Sequence, residues 1–319
     1  MKTLSLHVDI SDIIDLDEEF QKSFNVAKAY NENGIYEDKL NNFEAEIIFT
    51  NPNSCPIYYD ALHFKKYSNL KYLVTASTGT IHINFKDAKD FGIKIISITN
   101  ELDTLEKITS TAEHALALSL SALRRIPQSM ESVKNGEWNY SPFIGRQLNK
   151  IHVGVVGFGR LGKMYCNFMR SLGSSVSVYD PYKYELILKN GFEYCSLEDI
   201  FKISNIISLH CHVTDETTDF INKDLLKLIS DNAIIINTAR GEIVNEIDLC
   251  NSLKTKNFYY FTDVLNKEYD GLQNSVLAKS VFFNKNIFIT PHQGGMTFDA
   301  RSIAYKRAAE LLFEEIIEN

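Results

Sequence analysis

No C-x-x-C pair occurs in this chain. Its five cysteines, Cys55, Cys166, Cys195, Cys211 and Cys250, are scattered. That spacing excludes a disulfide framework and fits reduced thiols in a reducing compartment, which places the protein in the cytoplasm. Long apolar runs are also missing: no window approaches 18 apolar residues, so no membrane-spanning helix is expected. The opening stretch MKTLSLHVDISDIIDLDEEF turns acidic early and has no long apolar core, which argues against a signal peptide. Basic charge is in deficit. Lys and Arg number 33 against 41 Asp and Glu, a net charge of -8, which excludes a nucleic-acid or anionic-membrane surface. Internal repeats and low-complexity linkers are absent.

What is present suits a folded enzyme-sized protein. Across 319 residues, 45% are hydrophobic and 23% charged, enough for a substantial core in one large domain or two ordinary ones. Apolar runs AEIIFT, LKYLVTAS and IKIISI read as strands in the first hundred residues. The segment from Leu105 to about Ile126 reads as one long helix. Further strands follow in HVGVVG, SVSVYD, NIISLHCH, AIIINTA, FYYFTDV and NIFITP, with helices such as LEDIFKI, KDLLKLI and NEIDLCNSL between them. This alternation predicts βαβ units and parallel sheets. The boundary falls near Glu101, and the terminal helix DARSIAYKRAAELLFEEIIEN returns to the first domain. The expected limits are 1–100 with 293–319 for a substrate-binding domain, and 101–292 for a dinucleotide-binding domain.

Gly157, Gly159 and Gly162 spell G-x-G-x-x-G directly after an apolar strand and directly before a helix. The first glycine permits a tight turn, the second lets backbone approach a pyrophosphate, and the third lets helix pack on strand. The helix N-terminus then faces the phosphates. Asp180 ends the next strand, 18 residues after Gly162, where a carboxylate can accept both ribose hydroxyls. Its charge would repel a 2′-phosphate, so NAD is expected rather than NADP. Three later strand ends carry reactive side chains: Arg240, then Asp263 with Glu268, then His292. A guanidinium grips a carboxylate and polarises the adjacent carbonyl. A histidine moves the proton, and a glutamate holds the imidazole and favours its charged form.

On these residues the chain resembles the D-isomer-specific 2-hydroxyacid dehydrogenase family, from the early fifties to the end. GVVGFGRLGK is similar to its cofactor fingerprint, INTARGEIVNEIDL to its arginine motif, TDVLNKE to its acidic motif and TPHQGG to its histidine motif. The resemblance implies an α/β protein of two domains, a Rossmann NAD-binding domain plus a flavodoxin-like substrate-binding domain, with the cleft between them. It implies interconversion of a D-2-hydroxy acid and a 2-oxo acid, with Arg240, Glu268 and His292 catalytic. Cofactor contacts fall on Gly157, Gly159, Arg160, Leu161, Gly162, Asp180, Thr214, Thr238, Ala239, Arg240, Asp263, His292, Gly294 and Gly295. STGTIHINFKDAKDFGIKI resembles the family's carboxylate-binding turn, which implies Thr78 and Gly79 with Arg240 as the substrate cradle. TAEHALALSLSALRR resembles its dimer helix, so a homodimer is implied.

Other readings of particular residues are blander. His210 and His212 share a strand face, but no third ligand stands at metal-site spacing, so no metal is expected. His114 reads as a helix-contact residue and Trp138 as packing. Asn51 and Asn53 follow a strand of the first domain, where a position facing the cleft and a plain turn are equally expected. The loop NPNSCPIYY carries no basic residue, which predicts a neutral or apolar C3 substituent on the substrate rather than a phosphate. The alternatives are an NAD(H)-sensing corepressor-like scaffold, or a formate or phosphite dehydrogenase of the same fold.

Overall fold

The structure, a computed structural model, describes residues 1–318 apart from 56, 78, 81, 269 and 270. Thr78 of the expected cradle therefore lies outside the described residues. The chain forms two compact units, Met1–Ile108 with Gly295–Asn319, and Thr109–Gly294. The sequence reading places the junctions after residues 100 and 292; the compact units part after Ile108 and Gly294.

In the first unit, β1 (Thr3–Leu6), β2 (Asn25–Lys28), β3 (Ile47–Thr50), β4 (Tyr72–Thr75) and β5 (Lys94–Ser97) form a parallel sheet in the order β2-β1-β3-β4-β5. This is the flavodoxin-like strand order. The strands β3 and β4 are buried on both faces, as parallel strands covered by helices must be. One face packs Leu4, Phe49 and Val74 against Tyr305, Ala308 and Leu312 of the terminal helix Phe298–Glu318. The other packs Ile48 and Leu73 against Tyr59 and Phe64.

The second unit holds β6 (His152–Val156), β7 (Ser175–Tyr179), β8 (Glu193–Tyr194), β9 (Ile206–Leu209), β10 (Ile234–Asn237), β11 (Tyr259–Thr262) and β12 (Ile287–Ile289). Their order is β12-β11-β10-β9-β6-β7-β8, all parallel, a doubly wound sheet whose order reverses between β6 and β9. Ligands bind in such sheets at the carboxyl ends flanking that reversal. Its two faces bury Val156, Leu209, Ile235 and Tyr260 on one side, and Val155, Ile236, Phe261, Leu118 and Tyr165 on the other.

The single helix expected over 105–126 is divided among three: Leu102–Glu106, Ser110–Leu123 and Ile126–Lys134. Leu105 and Ile108 pack in the first unit's core, whereas Ala115, Leu118 and Ala122 pack in the second's. The chain changes core between Ile108 and Thr109, and the helix stops there. At the other end Arg125 turns left-handed, with φ 52°, and Pro127 stands in the first turn of the next helix, where its missing N–H costs nothing. Among the described residues, no helix is long and apolar enough to cross a membrane.

Candidate active site

The glycine turn joins β6 to the helix Arg160–Ser171. Gly157 has φ 97°, and a Cβ there would fall 2.7 Å from the His210 backbone. A Cβ on Gly162 would fall 2.1 Å from the Gly157 carbonyl oxygen. The first position needs glycine for its backbone hand, the second for close approach of helix to turn. At Gly159 an added Cβ meets nothing within 4 Å, so open space lies against the start of the helix. There Arg160 and Leu161 begin the first turn, whose N–H groups have no intrahelical partners.

Asp180, buried just after β7, braces the same turn. Its Oδ2 accepts the Phe158 N–H at 2.8 Å and its Oδ1 the Tyr182 N–H at 3.1 Å. Lys183 Nζ donates to the Phe158 carbonyl at 3.1 Å. Each Asp180 oxygen keeps acceptor capacity beyond these bonds.

Because β10, β11 and β12 are adjacent and parallel, their carboxyl ends form one continuous edge. Arg240 follows β10, Asp263 and Glu268 follow β11, and His292 follows β12. His292 Nδ1 lies 2.7 Å from Glu268 Oε1, with both side chains about a quarter exposed (28% and 21%). Asn237 shapes the arginine turn: its Nδ2 donates to the Arg240 carbonyl at 3.0 Å and its Oδ1 accepts the Ala239 N–H at 3.0 Å. Arg240 Nη1 donates to the Ala239 carbonyl at 2.6 Å. A Cβ on Gly241 would sit 2.0 Å from the Leu265 carbonyl carbon, so glycine lets the arginine turn pass against the segment leading to Glu268.

Two backbone positions here are left-handed without being glycine: His292, φ 50°, and Lys267, φ 53°. Each costs about 1–2 kcal/mol for an L-residue, so something must hold them. Asp263, 2% exposed, accepts Thr290 Oγ1 at 2.5 Å and the Gln293 N–H at 2.9 Å on Oδ1, and the Gly294 N–H at 2.7 Å on Oδ2. His114 Nε2 lies 3.0 Å from Thr290 Oγ1 and 3.4 Å from Asp263 Oδ1. Since the threonine hydroxyl donates to the carboxylate, His114 must donate from Nε2. Burial pushes the Asp263 carboxyl up, but the bonds from His114, Thr290, Gly294 and Gln293 outweigh it and hold the group below the ordinary carboxylate range. Buried Glu246, the first residue of the helix Glu246–Ser252, accepts the Asn266 N–H at 2.9 Å and the Leu277 N–H at 3.3 Å, bonds that oppose the upward push of burial on its carboxyl without cancelling it. Hydrogen bonds to charged groups contribute about 1.5–3 kcal/mol each, enough to offset the strain.

Comparison with known proteins decides the class. Residues 116–294 match the family described as D-isomer specific 2-hydroxyacid dehydrogenase, NAD binding domain. The chain belongs to the D-isomer specific 2-hydroxyacid dehydrogenase family. It is 31% identical over 251 residues to hydroxypyruvate reductase of Thermotoga maritima, covering 78% of each chain. To D-3-phosphoglycerate dehydrogenase of Bacillus subtilis it is 29% identical over 279 residues, 86% of this chain but only 50% of that enzyme. The chain thus spans about half the length of that relative. Among solved structures, D-lactate dehydrogenase from Aquifex aeolicus complexed with NAD and lactic acid superposes with a TM-score of 0.78 at 25% identity, over 99% of this chain and 96% of that one.

As a member of this family the chain is an NAD-dependent oxidoreductase. The site fits that cofactor: the space at Gly159 is open, and the Thr238 hydroxyl, 5% exposed, has no hydrogen-bond partner among the described residues. Ala239 lies partly buried between Thr238 and Arg240. Thr214 is exposed after β9 and folds a local turn, its Oγ1 accepting the Thr217 N–H at 3.2 Å. Gly294 is buried with its N–H on Asp263, and Gly295 opens the return to the first unit. Gly79, just past β4, donates its N–H to Ser77 Oγ at 3.1 Å. His210 Nε2 pairs with Ser208 Oγ at 2.8 Å, and the described residues hold no cluster of three metal-ligating side chains. Two participants went unread in the sequence. His114 looked like a helix contact, and Glu246 was read only as part of the helical stretch NEIDLCNSL. Only the fold brings them to Thr290 and Asn266.

Proposed function

We propose that the second unit binds NAD and that the protein reduces an unphosphorylated 2-oxo acid to a D-2-hydroxy acid, and the reverse. The observation that carries the reading is the 2.7 Å contact between His292 Nδ1 and Glu268 Oε1 on the edge that also bears Arg240. NAD supplies the hydride donor or acceptor. Arg240 binds the substrate carboxylate and polarises the neighbouring C2 oxygen. With Nδ1 against Glu268, His292 exchanges the proton with that oxygen through Nε2: it donates during reduction and accepts during oxidation. Glu268 keeps the ring oriented and compensates the imidazolium charge. The first unit contributes substrate recognition. Its Asn51–Cys55 segment bears no cation to bind a dianionic phosphate, and hydroxypyruvate reductase is among the chain's relatives.

The protein acts as a cytoplasmic homodimer. Trp138 and Tyr140 are 92% and 81% exposed, beside a groove of about 950 Å³ lined by Leu123, Val133, Trp138, Tyr140, Phe143 and Ile144. An apolar patch of this kind calls for a covering surface, and a second copy supplies a matching one. The test of the activity is oxidation of NADH with pyruvate, hydroxypyruvate, phenylpyruvate and 3-phosphohydroxypyruvate, followed by nicotinamide absorbance. The highest kcat/KM falls on an unphosphorylated acid. A higher value for the phosphorylated one would overturn the substrate assignment.

A further inference from the structure

We propose that Tyr182 and Glu216 form a strap across the adenosine end of the cofactor crevice and retain the bound dinucleotide. The inference rests on the reading that the second unit binds NAD, and it adds two residues to the glycine turn and Asp180.

The strand order places the two residues on opposite lips. β6 pairs with β7 on one side and β9 on the other, so the loops after β7 and β9 flank the end of β6, where the glycine turn begins. A doubly wound sheet takes its dinucleotide in that crevice, with the ribose on the acidic residue after the second strand, here Asp180. Tyr182 stands two residues beyond Asp180, and Glu216 lies in the turn after β9. The Tyr182 hydroxyl donates to Glu216 Oε2 at 2.5 Å, which joins the lips over the end of β6. This bond to a carboxylate holds the phenol above its ordinary range, as a hydroxyl that donates to an anion must be.

Each lip is closed on itself. The Tyr182 N–H ends on Asp180 Oδ1, and the Lys183 N–H on the Asp180 carbonyl at 3.2 Å. Lys183 Nζ ties that loop to the Phe158 carbonyl. On the other lip Thr217 Oγ1 accepts the Thr214 N–H at 2.7 Å and donates to the His212 carbonyl at 2.6 Å. The Thr218 N–H ends on the Thr214 carbonyl at 2.9 Å. The two backbones therefore hold without the strap. The core does not need it either, since Tyr182 is 77% exposed and Glu216 is exposed. Changes to such surface side chains alter stability little. What the bond does is span the crevice. With both lips fixed, only these two side chains must part for a dinucleotide to pass. The exposed face of the Tyr182 ring is apolar surface that a bound adenosine can cover, so closure is favoured more with the cofactor present than without it. Loss of the strap should therefore appear in dissociation rather than association.

The experiment follows NADH binding by stopped-flow nicotinamide fluorescence, with no turnover required. It compares wild type with Tyr182→Phe, Glu216→Ala, Glu216→Gln and the double variant Tyr182→Phe with Glu216→Ala. Dissociation is timed by displacing bound NADH with excess ADP-ribose. Tyr182→Phe and Glu216→Ala should each raise the dissociation rate about five-fold, the scale of one hydrogen bond. The association rate should stay within about two-fold, and the thermal midpoint should not move. One bond is lost in all three proteins, so the double variant should also show about five-fold. Independent contacts would instead multiply to about 25-fold. Glu216→Gln keeps an acceptor for the phenol and should stay within about two-fold of wild type. ADP-ribose, which lacks the nicotinamide, should lose affinity by the same factor as NADH. An unchanged dissociation rate in Tyr182→Phe, or multiplied losses in the double variant, overturns the proposal. So does a loss for NADH that ADP-ribose does not share. If wild type binds NADH and the variants match it, the cofactor assignment stands and the strap falls. If wild type binds neither NADH nor ADP-ribose, both fall.

Discussion

Acidification should loosen the first unit through one buried histidine. His7 follows β1 with no exposed surface, its Nδ1 2.9 Å from the Tyr59 hydroxyl and its Nε2 3.0 Å from Asn41 Oδ1. Burial, and then the charge of His63, push its pKa down to about 3, against opposing effects of Asn41 and Asp38. His63, 8% exposed, is pushed down to about 4 by burial and then by Lys66, with Asp38 and Asp60 opposing. The folded values lie below the unfolded one near 6.5, so the unfolded chain binds more protons in the interval between them. Stability from each histidine is complete above pH 6.5 and is lost as pH falls toward the folded value. From pH 7 to pH 5 linkage gives a loss of about 2 kcal/mol per histidine, about 4 kcal/mol for both. His7→Gln keeps a donor and an acceptor but cannot titrate. The assay is urea unfolding at pH 7 and pH 5, with hydrogen exchange of peptides spanning Thr3–Leu6 and Ile47–Thr50 to assign the change to this unit. Wild type should lose about 2 kcal/mol more than His7→Gln over that interval. Equal losses in the two proteins would refute the argument.

Further outcomes follow from the second unit. Asp180→Ala releases the Phe158 and Tyr182 N–H groups and removes a negative charge. NADH affinity should fall and the NAD-to-NADP preference shift by about ten-fold or more, roughly 1.4 kcal/mol, measured by titration with both cofactors. Glu268→Gln keeps shape but removes the charge that stabilises imidazolium. Reduction kcat/KM at neutral pH should drop by about 100-fold, and oxidation by less; equal losses would count against the pairing. Trp138→Glu with Ile144→Asp should convert a dimer to monomers in sedimentation velocity, while an unchanged species would place the interface elsewhere.

The fold was legible where apolar runs are long and bounded. AEIIFT, LKYLVTAS, HVGVVG and AIIINTA each hold a strand because both faces of a parallel sheet are buried, which demands continuous Val, Ile and Leu. The strands that escaped notice are short or at an edge. TLSL in β1 alternates with serine, NVAK in β2 is largely polar, and β8 has two residues. The break in the helix over 105–126 was hidden because periodicity does not say which core each apolar residue joins. Of the candidate site, the His292–Glu268 contact was readable from side-chain chemistry at consecutive strand ends. The roles of Asp263, Glu246 and His114 were not, since their partners are mostly backbone N–H groups of loops that carry no sequence pattern of their own.

The most direct test of the account is the reduction of an unphosphorylated 2-oxo acid by wild type and by His292→Gln, with NADH affinity and product chirality measured alongside. Wild type should form the D enantiomer. His292→Gln should bind NADH within about three-fold of wild type and lose about 100-fold or more in kcat/KM, the scale of a lost general acid. Retention of kcat/KM within a few fold in the variant, an L product, or NADH binding by wild type without turnover of any 2-oxo acid would contradict it.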